Sequence, residues 1–125
     1  MIVVALSVLL LRLAAHNLIV YNIEHNQALA QMNLKLLSKA LENYAKDNRS
    51  QYPEDIKELT RGEPAYLERN YVAASSIRGY EYDCQRLDAA GYNCYATPLD
   101  CKFSGKMVYS VSTGGGFIAE KCDSK

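Results

Sequence analysis

The first fifty-two residues of this 125-residue chain contain neither proline nor glycine. Nothing in that stretch stops a helix once it has begun, because proline and glycine are the two residues that break or weaken one most. Its first part, Met1 to Val20 (MIVVALSVLLLRLAAHNLIV), is almost wholly apolar. Twenty helical residues at ~1.5 Å each span ~30 Å, the thickness of a bilayer's hydrocarbon core. A cleavable signal peptide needs a basic start, a shorter apolar run and a small-residue processing site. Here no basic side chain precedes Arg12 and the helical pattern runs on past Val20. The expectation is a retained apolar helix over residues 1–27 that protrudes from a head formed by residues 28–125.

Arg12 and His16 interrupt the apolar run one turn apart, on one side of the helix. A charge at such depth costs on the order of 3 kcal/mol on insertion scales and usually faces protein. Two readings stand side by side: Arg12 snorkels to the interface, or both side chains face other helices in an assembly. Glu24, the only carboxylate before Glu42, lies twelve positions from Arg12, about 18 Å along a helix axis. The two cannot pair within one straight helix.

From Ala28 to Ala45 the pattern becomes amphipathic. Ala30, Leu34, Leu37, Leu41 and Tyr44 recur at three- and four-residue spacing, with Lys35, Lys39, Glu42, Asn43 and Lys46 mostly elsewhere. That stripe is expected to bury against a sheet, leaving the charges as a solvated face. Asp47-Asn48 end the helix, and Pro53-Glu54-Asp55 reads as the first turn of a short helix through Leu59, broken by Gly62-Glu63-Pro64. Tyr66 to Gly79 is an irregular connection in which Tyr66, Leu67, Tyr71, Val72 and Ile77 are available to pack.

After Gly79 the period changes to two. Tyr80 to Cys84 alternates, and Tyr92, Cys94 and Ala96 share a face of the next run, with Gln85 to Gly91 as a hairpin-sized connection. Lys106–Ser112 and Phe117–Lys121 are the third and fourth strands, joined across Thr113 to Gly116. One long helix followed by a small antiparallel sheet of three to four strands is an α+β fold.

All four cysteines, Cys84, Cys94, Cys101 and Cys122, lie in the last forty-two residues. None forms the short-spaced pair that a structural zinc site uses. An even number behind an apolar segment points to two disulfides in an oxidising compartment, with three connectivities possible. If Cys84 and Cys94 lie opposite each other in adjacent strands, their β-carbons fall near bridging distance. That favours Cys84–Cys94, with Cys101–Cys122 pinning the C-terminus to the body.

These segments resemble the type IV pilins and the related pseudopilins of type II secretion. Met1 to Ala5 (MIVVA) is similar to the middle of the family's apolar N-terminal stretch. Leu34 to Pro53 (LKLLSKALENYAKDNRSQYP) resembles its helix end, and Gly79 to Tyr82, Gly91-Tyr92, Ala96 to Pro98 and Tyr109 to Val111 resemble the small sheet of short pilins. The family's docking glutamate has no counterpart in the apolar run, and His16 stands where the family has a helix-kinking proline. The resemblance implies a structural subunit held in the inner membrane, drawn out by a pilus or secretion assembly machine and packed with copies of itself into an extracellular helical filament. Met1, Ile2, Val3, Val4, Leu9, Arg12, His16 and Glu24 are then the assembly helix.

Other chemistry finds little support. The formal net charge is zero, so composition names neither nucleic acid nor an anionic surface as partner. No serine forms a recognisable motif with His16 or His25. Gly114 to Gly116 lacks the lysine and helix of a phosphate loop. Asp83, Asp88 and Asp100 lack the spacing of a calcium loop. No enzyme, no cofactor and no metal is expected. Ten tyrosines are better explained by sheet packing than by an electron path. The rival to a filament subunit is a monomeric, membrane-anchored domain that binds a partner outside the cytoplasm; a pseudopilin of a secretion system is a third reading.

Overall fold

The computed structural model describes residues 2–122. A single helix, α1, runs unbroken over Ile2–Asp47. It is followed by a one-turn helix, α2 (Lys57–Thr60), and by four strands: β1 (Tyr80–Asp88), β2 (Gly91–Pro98), β3 (Met107–Ser112) and β4 (Gly116–Lys121). The strands form one antiparallel sheet in the order β1-β2-β3-β4, and the C-terminal half of α1 packs across it. The fold is α+β.

The amphipathic stripe of α1 decides how it sits. Ala30, Leu34, Leu37 and Leu41 are buried and Tyr44 is half-buried. They meet the alternating inner face of the sheet, formed by Tyr80, Tyr82, Tyr92, Cys94, Ala96, Tyr109 and Val111. Leu67 and Ile77 from the long connection close one side of this core, with Tyr66, Tyr71 and Val72 packed partly against it. Buried apolar area of this kind contributes about 25 cal/mol per Å² and is the main favourable term in folding.

Three local expectations need correction. The β1–β2 hairpin is tighter than a loop from Gln85 to Gly91. The register slips between Cys84 and Arg86, which leaves Gln85 as a bulge, and β1 continues to Asp88 opposite Gly91. The turn is then only Ala89-Ala90, held by Asp88 Oδ1, which accepts hydrogen bonds from the backbone N–H of Ala90 (2.9 Å) and Gly91 (3.0 Å). A bulge absorbs one residue without ending a strand, so polar Gln85 and Arg86 stay in a strand that alternation alone would end at Cys84. The short helix is also later than Pro53: α2 begins after Asp55, whose Oδ1 accepts from Lys57 N–H at 2.9 Å. Finally, the charged side of α1 is not uniformly solvated, as Glu42 shows below.

At the C-terminus of α1, Ser50 N–H donates to Ala45 O at 2.7 Å, with Arg49 and Ser50 in the left-handed region. Asn48 Nδ2 donates to Tyr44 O at 2.7 Å. These bonds satisfy carbonyls that the helix leaves open where it stops. Gly105 is required by packing: a β-carbon there would overlap the ring of buried Tyr80, whose hydroxyl donates to Met107 O at 2.7 Å.

Burial pushes the phenol groups of Tyr80, Tyr82, Tyr92 and Tyr109 above their ordinary value of 10.0. The folded state therefore holds these protons after the unfolded chain would release them. The sign follows from linkage: their stabilisation is complete below pH 10.0 and is lost as pH rises beyond it. The melting temperature is expected to be flat with respect to these groups up to about pH 10 and to fall above it, in step with tyrosinate absorbance. A melting temperature unchanged through full tyrosine ionisation would contradict this packing.

Candidate assembly helix

Between Val3 and Asn22 every described side chain is exposed. These include Val3, Val4, Leu6, Val8, Leu9, Leu10, Leu11, Leu13, Leu18 and Val20, with Val3 74% and Leu11 70% accessible. Leu9, Leu10 and Leu11 follow one another at about 100° steps and Leu13 stands about 200° beyond Leu11, so the apolar surface is not confined to one stripe. A helix that is apolar all round belongs in a buried environment on every side. The helix is long and apolar enough to cross a membrane, and none of its most apolar window is buried in the head.

Among the expected assembly residues, Val3, Val4, Leu9, Arg12, His16 and Glu24 are all exposed on this projecting part. Ile2 is described by its backbone, as the first residue of α1, and Met1 lies outside the described residues. Arg12 and His16 lie one turn apart on one side, and Tyr21 stacks on His25 with ring centroids 6.1 Å apart. The ion pair found among the described residues is Arg86–Asp88 at 3.1 Å. Arg12 and Glu24 take no part in it.

The head takes hold of α1 at Ile23, the first buried side chain among the described ones of the helix. This lies inside the stretch assigned above to the protruding half. One turn on, Asn26 Nδ2 donates to Ser104 O at 3.0 Å, and Gln27 Oε1 accepts from Lys106 N–H at 2.8 Å. Both acceptor and donor belong to the segment that follows Cys101. That segment is tied to the end of β4 by the Cys101–Cys122 disulfide (Cα–Cα 5.8 Å) and by Cys122 N–H donating to Lys106 O at 2.9 Å. The other disulfide joins Cys84 and Cys94 across β1 and β2 (Cα–Cα 3.9 Å), where the two residues are direct register partners. The pairing is the one that the hairpin register favours.

Further up the helix, polar side chains meet tyrosine hydroxyls from the sheet. Asn33 Nδ2 donates to Tyr82 Oη (3.1 Å), Gln31 Nε2 donates to Tyr109 Oη (3.1 Å), and Ser38 Oγ lies 2.8 Å from Tyr92 Oη. Glu42 is the strongest of these anchors. Its carboxylate accepts from Tyr92 (2.8 Å), Tyr52 (3.1 Å) and the Gly114 N–H in the β3–β4 turn (3.1 Å). Helix, post-helix segment and sheet thus meet on one acid, and each buried hydroxyl finds the partner that burial demands. Sequence reasoning missed Ile23, Asn26, Gln27, Asn33, Ser38 and Glu42. A run of amides (Asn22, Asn26, Gln27, Gln31, Asn33) at helical spacing was the available signal for the first part of this seam.

The surface acids Asp83, Asp88 and Asp100 do not come together, and among the described residues no three metal-ligating side chains gather. The chain matches no protein-family model and no curated protein. What the arrangement offers is mechanical: a rigid head, and a helix clamped at its point of exit that presents about six turns of apolar surface.

Proposed function

We propose that the chain is a structural subunit of a type IV pilus-like extracellular filament, held together by the projecting halves of its N-terminal helices. The carrying observation is the exposed, mostly apolar surface from Val3 to Val20, interrupted on one side by Arg12 and His16, on the same unbroken helix that organises the head. Such a surface is stable in lipid, or among other helices of its own kind when it leaves lipid. The seam above the exit point supports the reading, since a helix gripped at Ile23, Asn26 and Gln27 transmits the head's position to its apolar end. Exposed Met32 and Leu36 extend apolar surface up the outer side of α1, where a neighbour would continue to pack. Two disulfides suit the oxidising side of a membrane. In this reading the subunit waits in the inner membrane with its head outside the cytoplasm, and an assembly machine moves it into the growing filament.

The test is assembly of the full chain. Expressed with a type IV assembly apparatus, it is expected to yield sheared, sedimentable filaments visible by electron microscopy. Detergent-extracted protein is expected to associate through the helix as detergent is withdrawn. A protein that stays monomeric at high concentration and gives no filament under either condition would overturn the proposal in favour of a membrane-anchored binding domain. Short fibres confined beneath the outer envelope would point to a pseudopilin.

A further inference from the structure

Before Lys35 the chain has one Lys or Arg, Arg12, and before Glu42 it has one carboxylate, Glu24. Glu42 is committed to Tyr52, Tyr92 and Gly114 in the head. Arg12 and Glu24 are both exposed and neither joins an ion pair within the described chain. The head's grip begins at Ile23, about three turns beyond Arg12, and among the described residues the guanidinium meets no carboxylate of its own head. An unpaired cation among apolar helices is strongly disfavoured and seeks a partner.

The spacing says what kind of partner serves. Arg12 and Glu24 are twelve positions apart, about 18 Å along α1 and about 120° apart around it. Because they occupy different sides of the helix, a closed pair of copies related by a two-fold axis cannot bring both pairs together on one shared face. A parallel neighbour shifted along the axis can satisfy one pair, and it leaves its own Arg12 free for the next copy. That is a heterologous contact, the kind that propagates as an open array.

Building on the proposed function, we infer that the occupant of this surface is a second copy of the chain, displaced by about 18 Å, with Arg12 of one copy paired to Glu24 of the next. The pair sets the stagger. Apolar helices slide past one another with little preference, whereas a desolvated charge left unpaired by a wrong register costs heavily. The planar guanidinium suits a carboxylate bidentately, and His16, one turn from Arg12, stands on the same side of the contact.

Charge exchange in the full chain tests this. Arg12→Glu and Glu24→Arg singly are expected to lower sedimentable filament at least about tenfold, and the double exchange is expected to restore most of it. The melting temperature of the head, which neither residue stabilises through a contact, reports that all three variants fold. As a second measurement, Arg12→Cys with Glu24→Cys in one chain is expected to give an intermolecular disulfide ladder on mild oxidation of filaments, with neither single variant doing so. The four native cysteines are already bonded to each other and do not contribute. Filaments from the unaltered chain, together with no rescue and no ladder, would overturn this pairing and leave the filament reading standing. Failure of the unaltered chain to form filaments counts against the filament reading itself.

Discussion

A fragment that begins at Ile23 is expected to be soluble, monomeric and as stable as the head of the full chain, whereas one that begins at Ala28 is expected to be much weaker. The first cut removes the exposed apolar turns and, among the described residues, no buried side chain. The second also removes Ile23, buried to 6% accessibility, and the two hydrogen bonds from Asn26 and Gln27 to the segment after Cys101. Burial of one isoleucine contributes roughly 1.5–3 kcal/mol and each hydrogen bond about 1 kcal/mol. The difference is on the order of 4 kcal/mol, or roughly 15–30 °C in melting temperature for a domain of this size. Thermal melts by circular dichroism compare the two fragments directly, and sedimentation checks that both are monomers. Equal melting temperatures would mean that the exit clamp contributes nothing. Persistent aggregation of the longer fragment would place the self-associating surface in the head.

The second large effect is loss of the Cys101–Cys122 disulfide. It closes a loop of 21 residues, and removing such a constraint from the unfolded chain costs about 3 kcal/mol of stability. Cys84–Cys94, separated by 10 residues, differs from it by less than ~1 kcal/mol on loop length alone. The two are therefore expected to lower the melting temperature by similar amounts when each pair is replaced by alanine. Their local consequences are expected to differ. Without Cys101–Cys122 the segment carrying Ser104 and Lys106 loses its tie to β4, and the hydrogen bonds to Asn26 and Gln27 lose their support. Hydrogen exchange is then expected to quicken at Lys106 and Cys122 and around Ile23 on α1. The Cys84/Cys94 variant is expected to quicken exchange in the β1–β2 hairpin and leave the exit clamp protected. Identical exchange patterns would show that the clamp does not depend on the disulfide beneath it.

Much of this architecture is legible in the chain because periodicity reports burial directly. Leu34, Leu37 and Leu41 recur at helical spacing, and Tyr80 and Tyr82, like Tyr92, Cys94 and Ala96, recur at strand spacing. In both cases the buried face is the apolar one. Cys84 and Cys94 pair as the hairpin register favours. Where the inward side chain is polar, the pattern is silent. Asn33 and Ser38 are buried beside the leucines because Tyr82 and Tyr92 bring hydroxyls to them, and apolar periodicity does not announce that. Glu42 reads as one more charge on a solvated face until Tyr52, just past the helix, and Tyr92 and Gly114, from distant segments, converge on it. The bulge at Gln85 is similar: alternation loses its phase there, and only the partner strand shows that pairing continues to Asp88.

The sequence by itself determined that a long uninterrupted helix exists, that its first twenty residues are apolar, and that a small disulfide-bonded sheet follows. Those are local or periodic properties, and each residue carries its own share of the signal. Tertiary structure decided where the helix leaves the head, which polar side chains hold it there, and that the described side chains of its apolar half stay exposed outside the head. Those outcomes depend on groups from segments far apart in sequence converging at hydrogen-bonding distance, as Asn26 with Ser104 and Glu42 with Tyr92 do.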